Sequence, residues 1–397
     1  MRTYDIINAG PRNRFLAGGR IVSNSGRIFQ PQNLPRVPDW FDREVQENVA
    51  EAMKADCEDI IWSNVPDLCA YSVRGALVAE PGKKFVVADL SNIEGRVLVW
   101  GAQEEWKLDA FKAYDAGTGH DLYKLTAGRI LGKDPGDITK SERQNQGKVP
   151  ELAGGFGGGV GAYRKMGGPV FNAMSDEDIK VIVYAWRGAH PRTKAFWYDM
   201  ERAFVRAIEY PGESFSVRDM ATFDVKEDDF GISWLRMRLP SGRYLCYPRP
   251  EVDKDECETC HGAGTILVGG SEPDTTAKSA LCYECNGAGR TGSGVITYEG
   301  TNQYTRKWER LETYYGKIVE NWVQAVARDV FMAGFVRAVE AGYPVVLRVH
   351  DELVCEVPDE PAYSAEHLSN LMATLPSWAA GLPLAAAGHE CYRYGKE

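Results

Sequence analysis

The apolar positions change period along the chain, and each change predicts an element. Residues 343–357 read YPVVLRVHDELVCEV. Val345, Val346, Leu347 and Val349 lead into the polar triplet His350-Asp351-Glu352, and Leu353, Val354 and Val357 lead out. Two β-branched runs around a short polar break predict a tight hairpin with buried stems. Far upstream, KFVVAD carries Phe85, Val86 and Val87 up to Asp89, and LSNIEGRVLVW continues as an amphipathic, helix-like stretch. Helical spacing governs WFDREVQENVAEAMKA, residues 100–142, and DEDIKVIVYAWRGAH and TKAFWYDMERAFVRAIEY within 164–230. It returns over 304–342, with Ile318, Trp322, Val326, Val330 and Val339 among the apolar positions, and in HLSNLMATL. SWLRMRLPSGRYLCYPRP alternates around Leu239-Pro240-Ser241-Gly242 and predicts a second hairpin. Residues 1–36 mix arginine, glycine, asparagine and proline, which predicts loops and short strands.

Composition narrows the class. A chain of 397 residues has room for two or three domains, and 44% hydrophobic with 26% charged residues fits an ordinary globular protein. No apolar run approaches the roughly 18 residues of a membrane span. MRTYDIINAGPRNR lacks the apolar core of a signal peptide, so a cytoplasmic chain is expected. The net charge of −10 argues against nucleic acid only as an average. Residues 1–36 hold six arginines against Asp5, while acids gather at Glu227, Asp228 and Asp229 and at Glu356, Asp359 and Glu360.

Four of nine cysteines form two CxxC pairs, Cys257/Cys260 and Cys282/Cys285, in the echoed segments CETCHGAG and CYECNGAG. Two such knuckles predict one structural Zn²⁺ held by four thiolates, with His261 a bystander. A redox-active or unmetallated pair is the alternative.

A carboxylate closing a buried strand, beside a hairpin that carries another, suits divalent metal. Mg²⁺ takes one or two carboxylates plus substrate phosphate oxygens. Two such ions clamp the attacking and leaving oxygens of a phosphoryl transfer. An ordinary exposed acidic turn is the competing explanation. The motifs weigh against it. DLSNIEGR resembles motif A of the family A DNA polymerases, commonly DYSQIELR, and VHDELV resembles their motif C. FQPQNLPR resembles the duplex-contact segment PNLQNIPxR, and GHDLYKLTAGRILG the fingers segment DIHxxTAxxxF. SERQNQGKVPELAGGFGGGVGAY resembles motif B, and ENWVQAVARD the palm helix. Their order is the family's, and the phage-type members are the most similar.

That resemblance implies an α+β fold, a right-hand polymerase palm of antiparallel sheet and packed helices, with helical fingers and the thumb apparently missing. Residues 1–99 would be the N-terminal palm, 100–235 the fingers, 236–300 a hairpin with a zinc-knuckle insertion at 257–289, and 301–397 the C-terminal palm. Asp89 and Asp351 would hold two Mg²⁺, with the Leu90 carbonyl as a further ligand. Lys148 would meet the triphosphate, and His350 and Glu352 would position the primer terminus and nearby waters. Glu94 stands where the family excludes the 2′-hydroxyl. Phe156 would lie near the nascent base pair, and Tyr123 would donate to a phosphate or fill a core position. Arg20 or Arg27 would contact phosphate. Gln30, Gln32, Asn33, Gln324 and Asn321 would read groove edges shared by all base pairs.

Several residues depart from the pattern. Arg143 stands five residues before Lys148 rather than four, about 140° away on an ideal α-helix, and Gln144 holds the usual position. Pro150 should force a kink or restart. Lys148, Leu152 and Phe156, four apart, would share one helix face ended by the glycines at 157–159, and Phe156 and Gly95 replace the usual Tyr and Leu. The expected activity is template-directed DNA synthesis from dNTPs on primer–template DNA, with no membrane partner. Either the thumb is missing or a separate polypeptide, carrying a thumb, an exonuclease or both, is a further partner. The alternatives are a polymerase-derived scaffold subunit and a primase or RNA polymerase-like enzyme.

Overall fold

The computed structural model describes residues 40–395 except 56, 58–61, 63, 76, 257, 262, 264, 269–277, 283–289 and 303–304, together with strands at 4–6, 14–17 and 20–23. Arg27, Gln30, Gln32, Asn33, Cys257 and Cys285 lie outside the described residues, and Arg20 opens the strand Arg20–Ser23. The architecture is α+β, with two compact units that are each discontinuous in sequence.

One unit comprises Met1–Asn24, Phe156–Lys165 and Lys194–Trp322. Its largest sheet runs in the order Tyr4–Ile6, Tyr244–Pro248, Ser233–Arg238, Ala221–Glu227, Ser214–Val217. The predicted hairpin around Leu239–Gly242 is the antiparallel pairing of Ser233–Arg238 with Tyr244–Pro248. Two strands were hidden behind the helical reading of 164–230. Ala221–Glu227 is short, but Ala221 and Phe223 are buried at a spacing of two, which is the strand period. The helix expected from residue 304 begins only at Tyr315, because Trp308–Thr313 forms a strand whose exposure alternates. Phe204, Phe223, Tyr247 and Trp322 close the core of this unit.

The second unit comprises Ser25–Gly155, Met166–Thr193 and Val323–Glu397. Its antiparallel sheet runs Val345–Val349, Glu352–Pro358, Lys83–Leu90, Ala386–Cys391. Lys83–Leu90 is a central strand and is buried almost without interruption, which explains why its sequence does not alternate. Phe85, Val87, Val354 and Tyr394 pack on one face. Helix Ala365–Ala373 packs over Lys83–Leu90 and Ala386–Cys391. A Cβ at Gly388 would stand 2.5 Å from the Val87 carbonyl and 2.8 Å from Ser369 Oγ, so only glycine permits this approach. Burying Val86, Val87 and Leu90 contributes about 1.5–3 kcal/mol for each side chain, which fixes the register of the strand that carries Asp89. Among the described residues no helix is long and apolar enough to cross a membrane.

Candidate active site

Strand pairing assembles the carboxylates. Glu352 lies directly opposite Asp89, and Leu353 opposite Ala88. The Leu90 N–H donates to the Asp351 carbonyl at 3.1 Å. Val349 pairs with Glu352, which leaves His350 and Asp351 as a two-residue turn. His350 adopts φ 56°, the left-handed region that a residue with a Cβ seldom enters. The hairpin tip is therefore held beside the end of the central strand. Directly opposed side chains have Cβ atoms about 4.5–5.5 Å apart, which makes Asp89 and Glu352 neighbours.

Burial pushes the Asp351 carboxyl up to about 6, and the like charges of Asp89, Glu94 and Glu352 add to the effect. Glu352 is buried and accepts a hydrogen bond from the Tyr394 hydroxyl. Glu94 is exposed in the first turn of helix Ile93–Ala102. Among the described residues no three or more His, Cys, Asp or Glu side chains are grouped to hold a metal ion by themselves. Crowded carboxylates in an open arrangement fit Mg²⁺, which completes its shell with water and phosphate oxygens.

Arg96 was not singled out from the sequence. It is 1% exposed, donates Nε to the Ser91 carbonyl at 2.7 Å and grips Asp115 with both terminal nitrogens. That pins the turn between Asp89 and Glu94 to helix Glu105–Asp115. Its sequence signal was the final arginine of DLSNIEGR.

The motif B segment corrects two expectations. Arg143–Lys148 is a π-helical turn between the α-helical stretches Lys140–Glu142 and Val149–Gly154, and the Val149 N–H bonds to the Gln144 carbonyl five residues back. A π-turn absorbs one extra residue without breaking the helix. Arg143 thus returns toward the side of Lys148 and is not left 140° away. A Cβ at Gly147 would collide with the Tyr123 carbonyl, so this turn lies against the start of helix Leu122–Leu131. The α-register resumes at Val149, and Pro150, which has no N–H to donate back into the π-turn, stands at that change of register. The second correction concerns Phe156. The helix ends at Gly154, so the expected face through Lys148, Leu152 and Phe156 stops short of the phenylalanine.

Arg143 forms a two-point ion pair with Asp121, 2.9 Å from Nε and 2.8 Å from Nη2, and its guanidinium lies 5.0 Å from the Tyr123 ring centre. Burial raises the Asp121 carboxyl, but Arg143 and backbone donors outweigh it and hold the group below its usual range. Tyr123 is half-buried beneath that guanidinium. Lys148 is half-buried, and Gln324 is exposed on an otherwise buried stretch of helix Tyr315–Glu340. In the other unit, Asn321 Nδ2 donates to the Tyr247 hydroxyl at 3.2 Å. Hairpin Thr265–Val268/Lys278–Leu281 pairs Thr265 with Leu281, and buried Cys260 and Cys282 meet there against Ile266.

Glu151, also absent from the sequence-based expectations, carries a buried network. It is ion-paired to Lys107 and accepts from Thr126 Oγ1, with Trp186 Nε1 at 3.4 Å and His190 Nε2 at 3.3 Å.

The fold is that of a DNA polymerase I polymerase domain. The chain aligns with a solved structure described as the POL domain of Pol1 from M. smegmatis in complex with DNA primer-template and dNTP, at TM-score 0.51 and 15% identity, over 95% of this chain and 46% of that one. In sequence it is similar to the DNA polymerase of Bacillus phage SP02, 32% identical over 385 residues, which is 97% of this chain and 52% of the phage protein. It also resembles DNA polymerase I of Aquifex aeolicus, 42% identical over 72 residues, which is 18% of this chain and 12% of that protein. The chain thus spans about half the length of the phage relative, 52%. No family model matches it.

Proposed function

We propose that the chain is a template-directed DNA polymerase that adds deoxynucleotides to a primer 3′ end in replication or repair, as part of a phage-type family A enzyme. The observation that carries this is the meeting of Asp89 and Asp351 at adjoining strand ends, with Asp351 pushed up to about 6 by burial and neighbouring carboxylates. Two Mg²⁺ bound there would lower the pKa of the primer 3′-hydroxyl and neutralise charge on the triphosphate and pyrophosphate. Asp89, Asp351 and the Leu90 carbonyl are the residues that would hold them. Lys148 and Arg143 face the phosphates, and Glu94 stands at the sugar. Glu352, fixed by Tyr394, orients the turn that carries Asp351. Tyr123 would donate to a phosphate oxygen; Phe156 is proposed, from its place in the motif alone, for the nascent base pair. Arg20, Arg27, Gln30, Gln32, Asn33, Asn321 and Gln324 contact primer–template.

Burial of Cys260 and Cys282 in one cluster supports a structural Zn²⁺ shared with Cys257 and Cys285. One zinc per chain, lost in Cys282→Ser, is the expected metal analysis. Primer extension by the isolated chain with Mg²⁺, with and without a thumb- or exonuclease-bearing polypeptide, tests the activity. Asp351→Ala is expected to cut it about a thousand-fold or more. Metal-dependent extension that survives this substitution rejects the assignment.

A further inference from the structure

Helix Pro191–Glu209 and strand Ser214–Val217 enclose a groove of about 450 Å³. Its lining is cationic although the whole chain carries −10. Asp199, Arg202 and Arg206 stand three and four residues apart on the helix, so they share one face. Arg218 closes the end of the groove beyond the strand. Arg202 and Arg218 both pair with Asp199, the latter at 2.9 Å. Three arginines against one aspartate leave two positive charges (3 − 1 = 2) among the lining residues.

The Arg206 guanidinium lies over the Phe215 ring, its central carbon 4.4 Å from the ring centre. That contact holds the guanidinium at the ring, and its N–H donors can still serve an anion. Ser214 and Ser216 are the exposed positions of the strand, and the strand is the edge of its sheet. The outer backbone groups of an edge strand are not used by the sheet. Guanidinium forks, hydroxyls and backbone N–H groups are the usual partners of nucleic-acid phosphates. Ligand clefts measure roughly 300–1,000 Å³, and this groove falls in the lower part of that range.

We infer that this groove is a binding site for the sugar–phosphate backbone of single-stranded nucleic acid. The Phe215 face is taken by Arg206, so recognition is by charge and hydroxyls and is independent of sequence. If the chain is a polymerase, the natural occupant is unpaired template, and to that extent the inference rests on the proposed function.

The test titrates a fluorescent oligothymidylate against the full chain over a range of salt. Arg202 has a side chain 72% exposed and Arg206 is exposed, so Arg202→Gln/Arg206→Gln should leave the fold intact, and a melting curve checks this. The double variant is expected to bind about tenfold more weakly at low salt, with the log–log salt slope shallower by about 1.4, two contacts at about 0.7 each. Asp199→Asn, which removes the opposing charge, should bind more tightly. Unchanged affinity and slope in the double variant overturn the inference. Displacement of the oligonucleotide by micromolar inorganic phosphate also overturns it, since the groove would then be a small-anion site. A chain that binds through these arginines but never extends a primer sinks the polymerase proposal and leaves the groove standing. A chain that extends primers with arginine-independent binding does the reverse.

Discussion

Two carboxylates in the same compact unit lie at opposite electrostatic extremes. Asp351 is pushed up to about 6, first by burial and then by Asp89, Glu94 and Glu352. Glu151 is more completely enclosed, and burial alone would raise it too, yet Lys107 and His190 hold it far below the usual carboxylate range. The difference lies in the partners. Around Glu151 the fold supplies its own cation, a hydroxyl and ring N–H groups, so the charge is matched within the protein. Around Asp351 the fold gathers like charges. A divalent cation bridged to phosphate is a ligand of matching chemistry. One site is a joint and the other a socket.

The joint gives the largest expected effect on stability. Glu151→Ala leaves buried Lys107 without its counter-charge, and breaking such a buried pair should cost about 3 kcal/mol. Urea unfolding at pH 7 measures it. The lowered carboxyl sets the sign of the pH dependence. Its contribution is fully present above the unfolded carboxylate pKa of about 4 and is lost as pH falls toward the lower folded value, so the gap between wild type and variant should shrink in acid. A loss below about 1 kcal/mol would mean that the network is not the joint described.

The socket predicts the opposite slope. Below pH about 4 both folded and unfolded chains hold the Asp351 proton, and Asp351→Asn should match wild type. Between there and about 6 only the folded chain holds it, so wild-type stability falls relative to the variant as pH rises. At pH 8 without metal, Asp351→Asn should be more stable by up to about 2 kcal/mol, a figure already reduced for partial solvent access. Mg²⁺ should narrow that gap by stabilising wild type alone. Thermal melts with and without Mg²⁺ at pH 4 and pH 8 decide it. A variant less stable than wild type at pH 8 would erase the contrast with Glu151.

The socket was legible in the sequence because strand pairing is local in pattern. KFVVAD and VVLRVHDELV each announce a strand and its polar end, and the motif resemblance joins them across the chain. The joint was not legible. Glu151 meets Lys107, Thr126, Trp186 and His190 only through the packing of separate helices, and no spacing encodes that. Arg96 lay within a quoted motif, but its partner Asp115 is a tertiary fact. The extra residue between Arg143 and Lys148 was visible. Its resolution as a π-turn was not, because the turn depends on Gly147 fitting against the Tyr123 carbonyl.

A smaller effect is expected at the rim of the socket. Glu94 is exposed and contributes to the raised Asp351 carboxyl, so it faces the same space. Glu94→Ala should narrow discrimination between dNTP and rNTP by about tenfold, roughly 1.4 kcal/mol. Parallel incorporation assays measure the ratio, and an unchanged ratio removes the gate role.

The smallest effect separates a joint from a socket within one ion pair. Arg143 and Asp121 are each about one-third exposed, with side chains 35% and 31% accessible, so their pairing should contribute less than about 1 kcal/mol. If Arg143 serves only that pair, Asp121→Ala and Arg143→Ala should behave alike, with a small loss of stability and no change in dNTP affinity. If the π-turn returns Arg143 to the phosphate side, the variants diverge. Arg143→Ala should raise the KM for dNTP several-fold with kcat little changed, while Asp121→Ala releases the guanidinium and should leave KM equal or lower. Equal KM values in the two variants would make Arg143 a small copy of the Glu151 joint.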